Sequence, residues 1–212
     1  MTGAAPGTIV RAIVVAFGAS VLAGCALLTP VKIDTRKEML TSLPLDLPQR
    51  ANCARALLVF PPQARPIYDT TQMAYAIQGQ QVAYFSQHEW GETPSQMLLP
   101  LLVSALRRTH CFNAVVTPPY PYAYSYALRT DIVALLQDFT TQPATLQLSL
   151  RVQLSDDVNR RVIASKELTL REPMPLRTPE DGVAAANAAT AEALRQVVMF
   201  VFAATSSSRS RP

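Results

Sequence analysis

The residue with the clearest chemical potential is a cysteine near the amino terminus. Cys25 follows the small residues Ala23 and Gly24 at the end of an apolar segment that begins after Arg11. That segment holds about eleven apolar or small residues, whereas a membrane-spanning helix needs roughly 20. A basic residue, a short apolar core and a small-residue site, in this order, are typical of a secretory signal.

The four residues Leu22-Ala23-Gly24-Cys25 resemble a bacterial lipobox. In that motif the chain is cut before the cysteine, whose sulfur receives diacylglycerol and whose new amino group is acylated. Small residues give the enzymes access to the backbone, and only a thiol supplies the nucleophile that becomes the thioether. We therefore expect residues 1–24 to be a lipoprotein signal peptide and Cys25 to be the lipid attachment site. The alternative is an ordinary signal followed by a coincidental cysteine.

Two or more acyl chains suffice for stable attachment to a membrane, whereas one chain does not. The mature protein is thus expected to be a soluble domain anchored through Cys25, with these lipids as its only attached group and no cofactor. Residue 26 is Ala rather than Asp. Sorted bacterial lipoproteins use Asp there as an inner-membrane retention signal, so the resemblance implies a location on the outer membrane, facing the periplasm.

Composition and motif content argue against several functional classes. Charged residues are 16% of the chain, and no run of Lys and Arg is interleaved with aromatic residues, so nucleic acid is not an expected partner. The two histidines, His88 and His110, lie far apart, and the chain contains no HExxH, CxxC, GxGxxG or GxSxG motif. We predict neither an enzyme nor a metal site.

Two further cysteines are candidates for a disulfide, because export implies an oxidising compartment. Cys53 precedes the apolar run ALLVF, and Cys111 precedes FNAVV. If these runs are parallel neighbouring strands, both cysteines lie at the same edge of the sheet, where bridging is feasible. The alternative is a pair of buried free thiols. The single tryptophan, Trp90, either packs in the core or contacts a partner.

The chain divides into four predicted regions. Residues 1–24 are the signal, residues 53–204 the folded domain, and residues 205–212 a disordered tail. Residues 25–52 are a lipidated and proline-dotted tether that leads from the membrane to the folded part and is either free or partly docked on it. Within the domain, ALLVF reads as a buried strand stopped by Pro61-Pro62. The segments MAYAI and VAYF flank Gln78-Gly79-Gln80 and predict a hairpin.

Two helices are predicted from their start signals and apolar periodicity. Thr93, Pro94 and Gln96 form a capping-box start for the first helix. Pro100 conflicts with a regular helix, so we expect a bend or a start near it. The last helix begins at the Thr178-Pro179 cap and carries apolar residues at helical spacing.

The clearest strand signal is the alternation of apolar and polar residues from Leu146 to Leu154. A period of two predicts a sheet with one buried and one wet face. The runs before and after it are comparable in length, so the three predict an antiparallel meander. The fold class is therefore α+β: an antiparallel or mixed sheet with a carboxyl-terminal strand meander and two amphipathic helices.

Long stretches of the domain resemble the ABC-type transport auxiliary lipoproteins, the PqiC/YmbA-like family. The resemblance is carried, in order, by YDTTQMAYAIQGQQVAYFSQHEW, TPSQMLLPLLVSALRRTHCFNAVV, LRTDIVALLQDF and GVAAANAATAEAL. It implies a non-catalytic subunit that works beside mammalian-cell-entry (MCE) proteins and an inner-membrane ABC permease and ATPase. Such machinery moves phospholipid or other apolar molecules between membranes, and a ring-like homo-oligomer would suit its tubular conduit. The competing hypothesis is an outer-membrane or cell-wall assembly lipoprotein that activates a synthase or an insertion machine.

Overall fold

The computed structural model describes residues 34–50, 54–78 and 81–209. The predicted signal, Cys25 and Cys53 lie outside these residues, and the compact domain begins at Thr35. Within the described residues the chain forms nine strands and two helices, in the following order: β1 (Arg36–Glu38), β2 (Ala54–Val59), β3 (Gln63–Ala64), β4 (Gln72–Ala76), β5 (Val82–Trp90), α1 (Pro94–Arg108), β6 (Phe112–Val116), β7 (Tyr126–Asp138), β8 (Ala144–Asp156), β9 (Arg161–Met174) and α2 (Pro179–Arg209).

The sheet is organised around the long strand β7. On one side β7 pairs antiparallel with β8, which pairs antiparallel with β9, so the predicted meander is confirmed. On its other side β7 pairs in parallel with β2, β3 and β4 at successive positions along its length. Strand β6 extends the sheet beyond β2, while β5 and β1 extend it beyond β4. The sheet is therefore mixed and open, and the predicted α+β class is confirmed.

Both helices cover the apolar face of this sheet. Leu150, Val152 and Leu154 of β8 are fully buried, whereas the intervening Arg151 is exposed. Helix α2 packs on β8 and β9, α1 packs on β2 and β6, and the two helices contact each other. The opposite face of the meander consists mostly of polar residues, as the period-two pattern requires.

The capping-box start of α1 is confirmed. The Gln96 backbone amide donates to Thr93 Oγ1 at 3.4 Å, and the Thr93 amide donates to Gln96 Oε1 at 3.0 Å. Pro100 lies inside the helix, which begins six residues before it rather than near it. Because Pro100 has no amide hydrogen, the carbonyl of Gln96 lacks its helical donor. Both residues are exposed, so this carbonyl lies on the solvent side of the helix.

The predicted domain start at residue 53 is wrong, and most of the segment assigned to the tether, residues 25–52, is docked on the domain. Residues 35–50 belong to the domain: β1 pairs in parallel with β5, and Leu40 is only 5% exposed. Leu43 and Leu47 also pack against the core. The segment shows no regular period because it is mostly extended chain without a strand partner, so its apolar residues gave no pattern in the sequence.

The predicted disordered tail from residue 205 is also wrong in part, because α2 continues to Arg209. Thr205 is 2% exposed, and its hydroxyl donates to the Val201 carbonyl at 2.9 Å. The Ser206 hydroxyl donates to the Phe202 carbonyl at 2.7 Å. Ser and Thr hydroxyls often form hydrogen bonds that compete with those of the helix backbone. Here they donate to carbonyls one turn earlier in α2, so they are compatible with the helix.

Candidate docking surface

A segment that sequence reasoning assigned to the tether forms the most distinctive surface of the domain. We call residues 39–50 the strap, because they run along α2. Asn187 of α2 holds one end. Its Oδ1 accepts from the backbone amides of Thr41 at 2.8 Å and Ser42 at 3.0 Å, and its Nδ2 donates to the Met39 carbonyl at 3.1 Å. One side chain therefore satisfies three polar groups of an extended segment.

The other end of the strap is held near the carboxyl end of α2. The Arg50 backbone amide donates to the Thr109 carbonyl at 3.0 Å, which connects the strap to the end of α1. Arg50 Nη1 donates to Ser206 Oγ at 2.6 Å and to the Phe202 carbonyl at 3.2 Å. Its guanidinium also lies 5.8 Å from the centroid of the Phe202 ring. The strap is thus fixed at both ends and follows α2 between them.

Between these two ends the strap presents one leucine to solvent. Leu45 is 98% exposed, although its neighbour Pro44 is buried and Leu47 packs against the core. Three hollows of about 420, 350 and 690 Å³ border this leucine. Met199 of α2, itself 51% exposed, lines the largest of them. A fully exposed leucine beside an exposed methionine is a candidate contact for another apolar surface.

Arginines border the hollows on both sides of Leu45. Arg107 and Arg108 line one hollow, and Arg195 lines the other two. Arg195 Nη2 lies 2.7 Å from Glu192 Oε1, and hydrogen bonds from Arg195 and Gln196 hold the pKa of the Glu192 carboxyl below its ordinary value. Glu192 is therefore ionised and neutralises Arg195. Arg107 and Arg108 supply positive charge at one hollow, and the exposed Asp46 supplies negative charge at the other two. We call Leu45, Met199 and these bordering side chains the strap surface.

Trp90, predicted as an alternative partner contact, does not belong to this or any exposed surface. Its side chain is 3% exposed and belongs to the hydrophobic core. It stands at the end of β5, where Glu38 of β1 pairs with it. The partner-contact alternative for Trp90 is wrong and the packing alternative holds, because the side chain is buried in the core and β1 pairs alongside it.

Cys111 is buried and disulfide-bonded. Strands β2 and β6 are parallel neighbours with Ala54 opposite Phe112, as the disulfide prediction required. The two other cysteines of the chain, Cys25 and Cys53, lie outside the described residues. The pairing of Cys111 with Cys53 therefore stays a prediction, and the register of β2 against β6 favours it. Lipid attachment at Cys25 also stays a prediction.

No arrangement of catalytic side chains is found among the described residues. His88 Nε2 lies 3.7 Å from Glu180 Oε1, which also contacts Arg36, and His88 Nδ1 is buried without a partner. His110 is exposed at the end of α1 with a φ of 53°. Neither histidine hydrogen-bonds a serine, and the described residues hold no cluster of three or more His, Cys, Asp or Glu suited to a metal.

Helix α2 is long and apolar enough to span a membrane by length and composition alone. Of its most apolar stretch, however, 61% is buried inside the domain. Ala186, Ala193, Leu194 and Val197 are fully buried. These residues make α2 the core helix that supports the strap, and its apolar character is explained by that packing.

Comparison with known proteins completes the description. A family model described as the ABC-type transport auxiliary lipoprotein component matches residues 40–198. A crystal structure of a Xanthomonas campestris protein of the DUF330 family matches with a TM-score of 0.70 at 20% identity, covering 83% of this chain and 98% of that chain. The crystal structure of an uncharacterized protein matches with a TM-score of 0.60 at 12% identity, and the match covers 78% of this chain and 99% of that chain. These likenesses show the fold. No curated protein sequence matches the chain.

Proposed function

Because this chain belongs to the ABC-type transport auxiliary lipoprotein family, we propose that it is the accessory lipoprotein of an MCE-type lipid transport system. In this proposal Cys25 anchors the domain to the periplasmic leaflet of the outer membrane. The strap surface docks the periplasmic conduit formed by the MCE protein, which connects to the inner-membrane ABC permease and ATPase. The family match over residues 40–198 is the observation that carries the proposal.

The mechanism is geometric and involves no turnover. Phospholipids and other apolar molecules are poorly soluble, so a continuous path avoids releasing each molecule into water. A domain fixed at the receiving membrane holds the end of the conduit where its cargo must arrive. The lack of catalytic arrangements among the described side chains is compatible with this role.

The strap surface has the features of an interface centre. Protein interfaces rely on a few apolar or Arg anchors near their middle, surrounded by contacts that exclude water. Leu45 is such an anchor: its neighbour Pro44 is buried, so its position is set by the core rather than by solvent. Arg107 and Arg108 at its border suit an acidic rim on the partner.

The experiment is capture of the acylated protein from cell envelopes after mild crosslinking, with the MCE protein quantified by mass spectrometry. Leu45→Asp places a charge at the proposed centre and should lower MCE recovery at least tenfold while membrane attachment persists. Val158→Asp is the matched control, because Val158 is also exposed, at 76%, but lies in the turn between β8 and β9. It should leave recovery unchanged.

Two outcomes would contradict the proposal at different levels. Equal recovery with Leu45→Asp and wild type would remove the strap surface as the contact. Recovery of a synthase or an insertion machine in place of any MCE or ABC subunit would remove the transport role itself.

A further inference from the structure

A second candidate site lies in the sheet, at the point where β7 changes its parallel partner from β2 to β3. Val59 of β2 pairs with Leu128, and Gln63 of β3 pairs with Asp131. Three residues, 60–62, connect Val59 to Gln63, whereas only two residues of β7 lie between Leu128 and Asp131. Two of the three are Pro61 and Pro62, which have no amide hydrogen to donate to the sheet. The chain therefore leaves the sheet at this point and opens a cleft of about 340 Å³.

The cleft is lined by two opposite charges on one strand. Arg129 and Asp131 are two residues apart on β7, so both side chains project from the same face. Their partners on β8 are Gln153 and Arg151, which alternate with the buried Val152 and Leu154. The charged pair thus lies on the face that the helices leave uncovered.

Neither charge is neutralised by an ion pair among the described residues. The guanidinium of Arg129 is instead positioned by an aromatic ring, since its Cζ lies 4.1 Å from the centroid of Phe60. Arg151, which stands opposite Asp131, forms its ion pair with Glu167 at 3.7 Å. A fixed cation and an uncompensated carboxylate therefore share one cleft.

The wall of the cleft between the two charges is backbone. Thr130 stands between Arg129 and Asp131 and pairs with the buried Val152, so its side chain projects to the helix-covered face and not into the cleft. Gln63 pairs with Asp131 and adds an exposed amide on the same face as the two charges.

We propose that this cleft binds a phosphate joined to a primary ammonium by a short arm, as in the headgroup of a zwitterionic phospholipid. The planar guanidinium of Arg129 contacts the phosphate oxygens, for which Arg has matched donor geometry. Asp131 accepts from the ammonium. The choice of a lipid rather than a free small molecule rests on the proposed transport function, whereas the zwitterion chemistry rests on the cleft alone.

The test is an NMR titration of the mature chain with Cys25→Ser, which keeps the full domain without acyl chains. The probe is glycerophosphoethanolamine, and glycerol phosphate and ethanolamine are its separate halves. The probe should shift the amides of Gln63 and residues 129–131, and it should bind at least tenfold more tightly than either half. No shift of these amides at 10 mM probe (a concentration on the order of weak headgroup affinity) would overturn the proposal.

Charge-removing variants then assign the roles. Arg129→Gln should weaken probe binding about tenfold and abolish any binding of glycerol phosphate, while Asp131→Asn should do the same for ethanolamine. Arg171→Gln and Glu92→Gln remove exposed charges that do not line the cleft and are the controls, for which affinity should not change. If the Arg129 and Asp131 variants bind as well as wild type, the cleft is not the site.

A second arm separates the two sources of this chemistry. Bicelles containing phosphatidylethanolamine should shift the same amides, and bicelles containing only phosphatidylglycerol should not. If only the soluble probe binds, the ligand is a free zwitterion and the lipid assignment is overturned. The NMR titrations are independent of the capture of the MCE protein. Leu45→Asp tests that capture at the strap surface, which lies on the opposite layer of the domain.

Discussion

At the scale of single residues, Gly182 in the first turn of α2 lies directly against a side chain of the sheet. A Cβ at this position would overlap all three terminal atoms of the Gln137 amide. Gln137 is 2% exposed, and neither its Nε2 nor its Oε1 has a hydrogen-bond partner among the described residues. The glycine is therefore required by the buried amide of β7, not by its own backbone conformation.

We predict that Gly182→Ala lowers the free energy of unfolding by about 1–3 kcal/mol, because the methyl group overpacks a closed contact. Denaturant unfolding followed by circular dichroism measures this change. Gly91→Ala is the control, since a Cβ there would meet only the flexible end of Met39, 2.5 Å from its Sδ. Its cost should stay within about 0.5 kcal/mol.

A double-mutant cycle tests whether Gln137 is the cause. In a Gln137→Ala background the space for the methyl group exists, and alanine is favoured over glycine in a helix by roughly 0.5–1 kcal/mol. Gly182→Ala should then become neutral or stabilising. An equal cost in both backgrounds would show that the strain lies elsewhere.

At the scale of secondary-structure elements, the strap depends on contacts that join distant parts of the chain. The hydrogen bond from the Thr41 amide to Asn187 spans 146 residues in sequence. Residues 43–48 have no strand partner, so the bonds from Asn187 and Arg50 at the two ends hold this stretch in place. The position of Leu45 on the surface therefore depends on α2.

We predict that Asn187→Ala releases the amino-terminal end of the strap and lowers the free energy of unfolding by about 0.5–1.5 kcal/mol, because it removes hydrogen bonds to backbone groups that are exposed or only partly buried. Limited proteolysis should then cleave within residues 43–48 faster than in wild type. Asn187→Asp keeps the acceptor for the Thr41 and Ser42 amides but loses the donor to Met39, so its effect should be intermediate. Equal cleavage of Asn187→Ala and wild type would contradict the role of Asn187.

The elements also show what the sequence could predict. The meander and both helix starts were predicted correctly because alternation and capping are local signals, readable within about a dozen residues. The strap was missed because proline-dotted extended chain has no period, and its partner Asn187 lies in the last helix. The sequence left two alternatives open for Trp90, core packing and partner contact, and its 3% exposure decides for packing. The sheet's branching around β7 was not predicted, because it requires pairing between strands far apart in sequence.

At the scale of the whole molecule, the domain presents different chemistry on its two layers. The helix layer carries the strap surface, which is apolar at its centre and charged at its border, with Arg107 and Arg108 at one hollow and Asp46 at the other two. The open face of the sheet carries the cleft with Arg129 and Asp131. A lipid headgroup and a protein partner would therefore not compete for the same side, which suits a subunit placed between a conduit and a membrane.

We predict that Cys25→Ser yields a folded protein that no longer fractionates with membranes, because the acyl chains are its anchor. Immunoblotting of soluble and membrane fractions measures the change, and circular dichroism confirms folding. Mass spectrometry of the wild-type mature protein should show an acylated Cys25 at the new amino terminus. A native chain that begins at Met1, or carries an unmodified Cys25, would contradict anchoring.

A second substitution tests which membrane holds the protein. Ala26→Asp introduces the residue that retains bacterial lipoproteins in the inner membrane, so the variant should move from the outer-membrane to the inner-membrane fraction on a density gradient. Ala26→Ser is the control and should stay in the outer membrane. Wild-type protein in the inner-membrane fraction would contradict the proposed location.

Docking of residues 35–50 onto the domain has a consequence for assembly. Nine residues of sequence lie between Cys25 and Thr35, and a chain of that length spans at most about 30 Å. If Cys25 is acylated as we propose, a partner attached to the same leaflet would meet the domain at an effective concentration on the order of millimolar. Affinities measured in solution with unacylated protein would then understate the avidity of the anchored complex, so that even a weak contact at Leu45 would contribute to it.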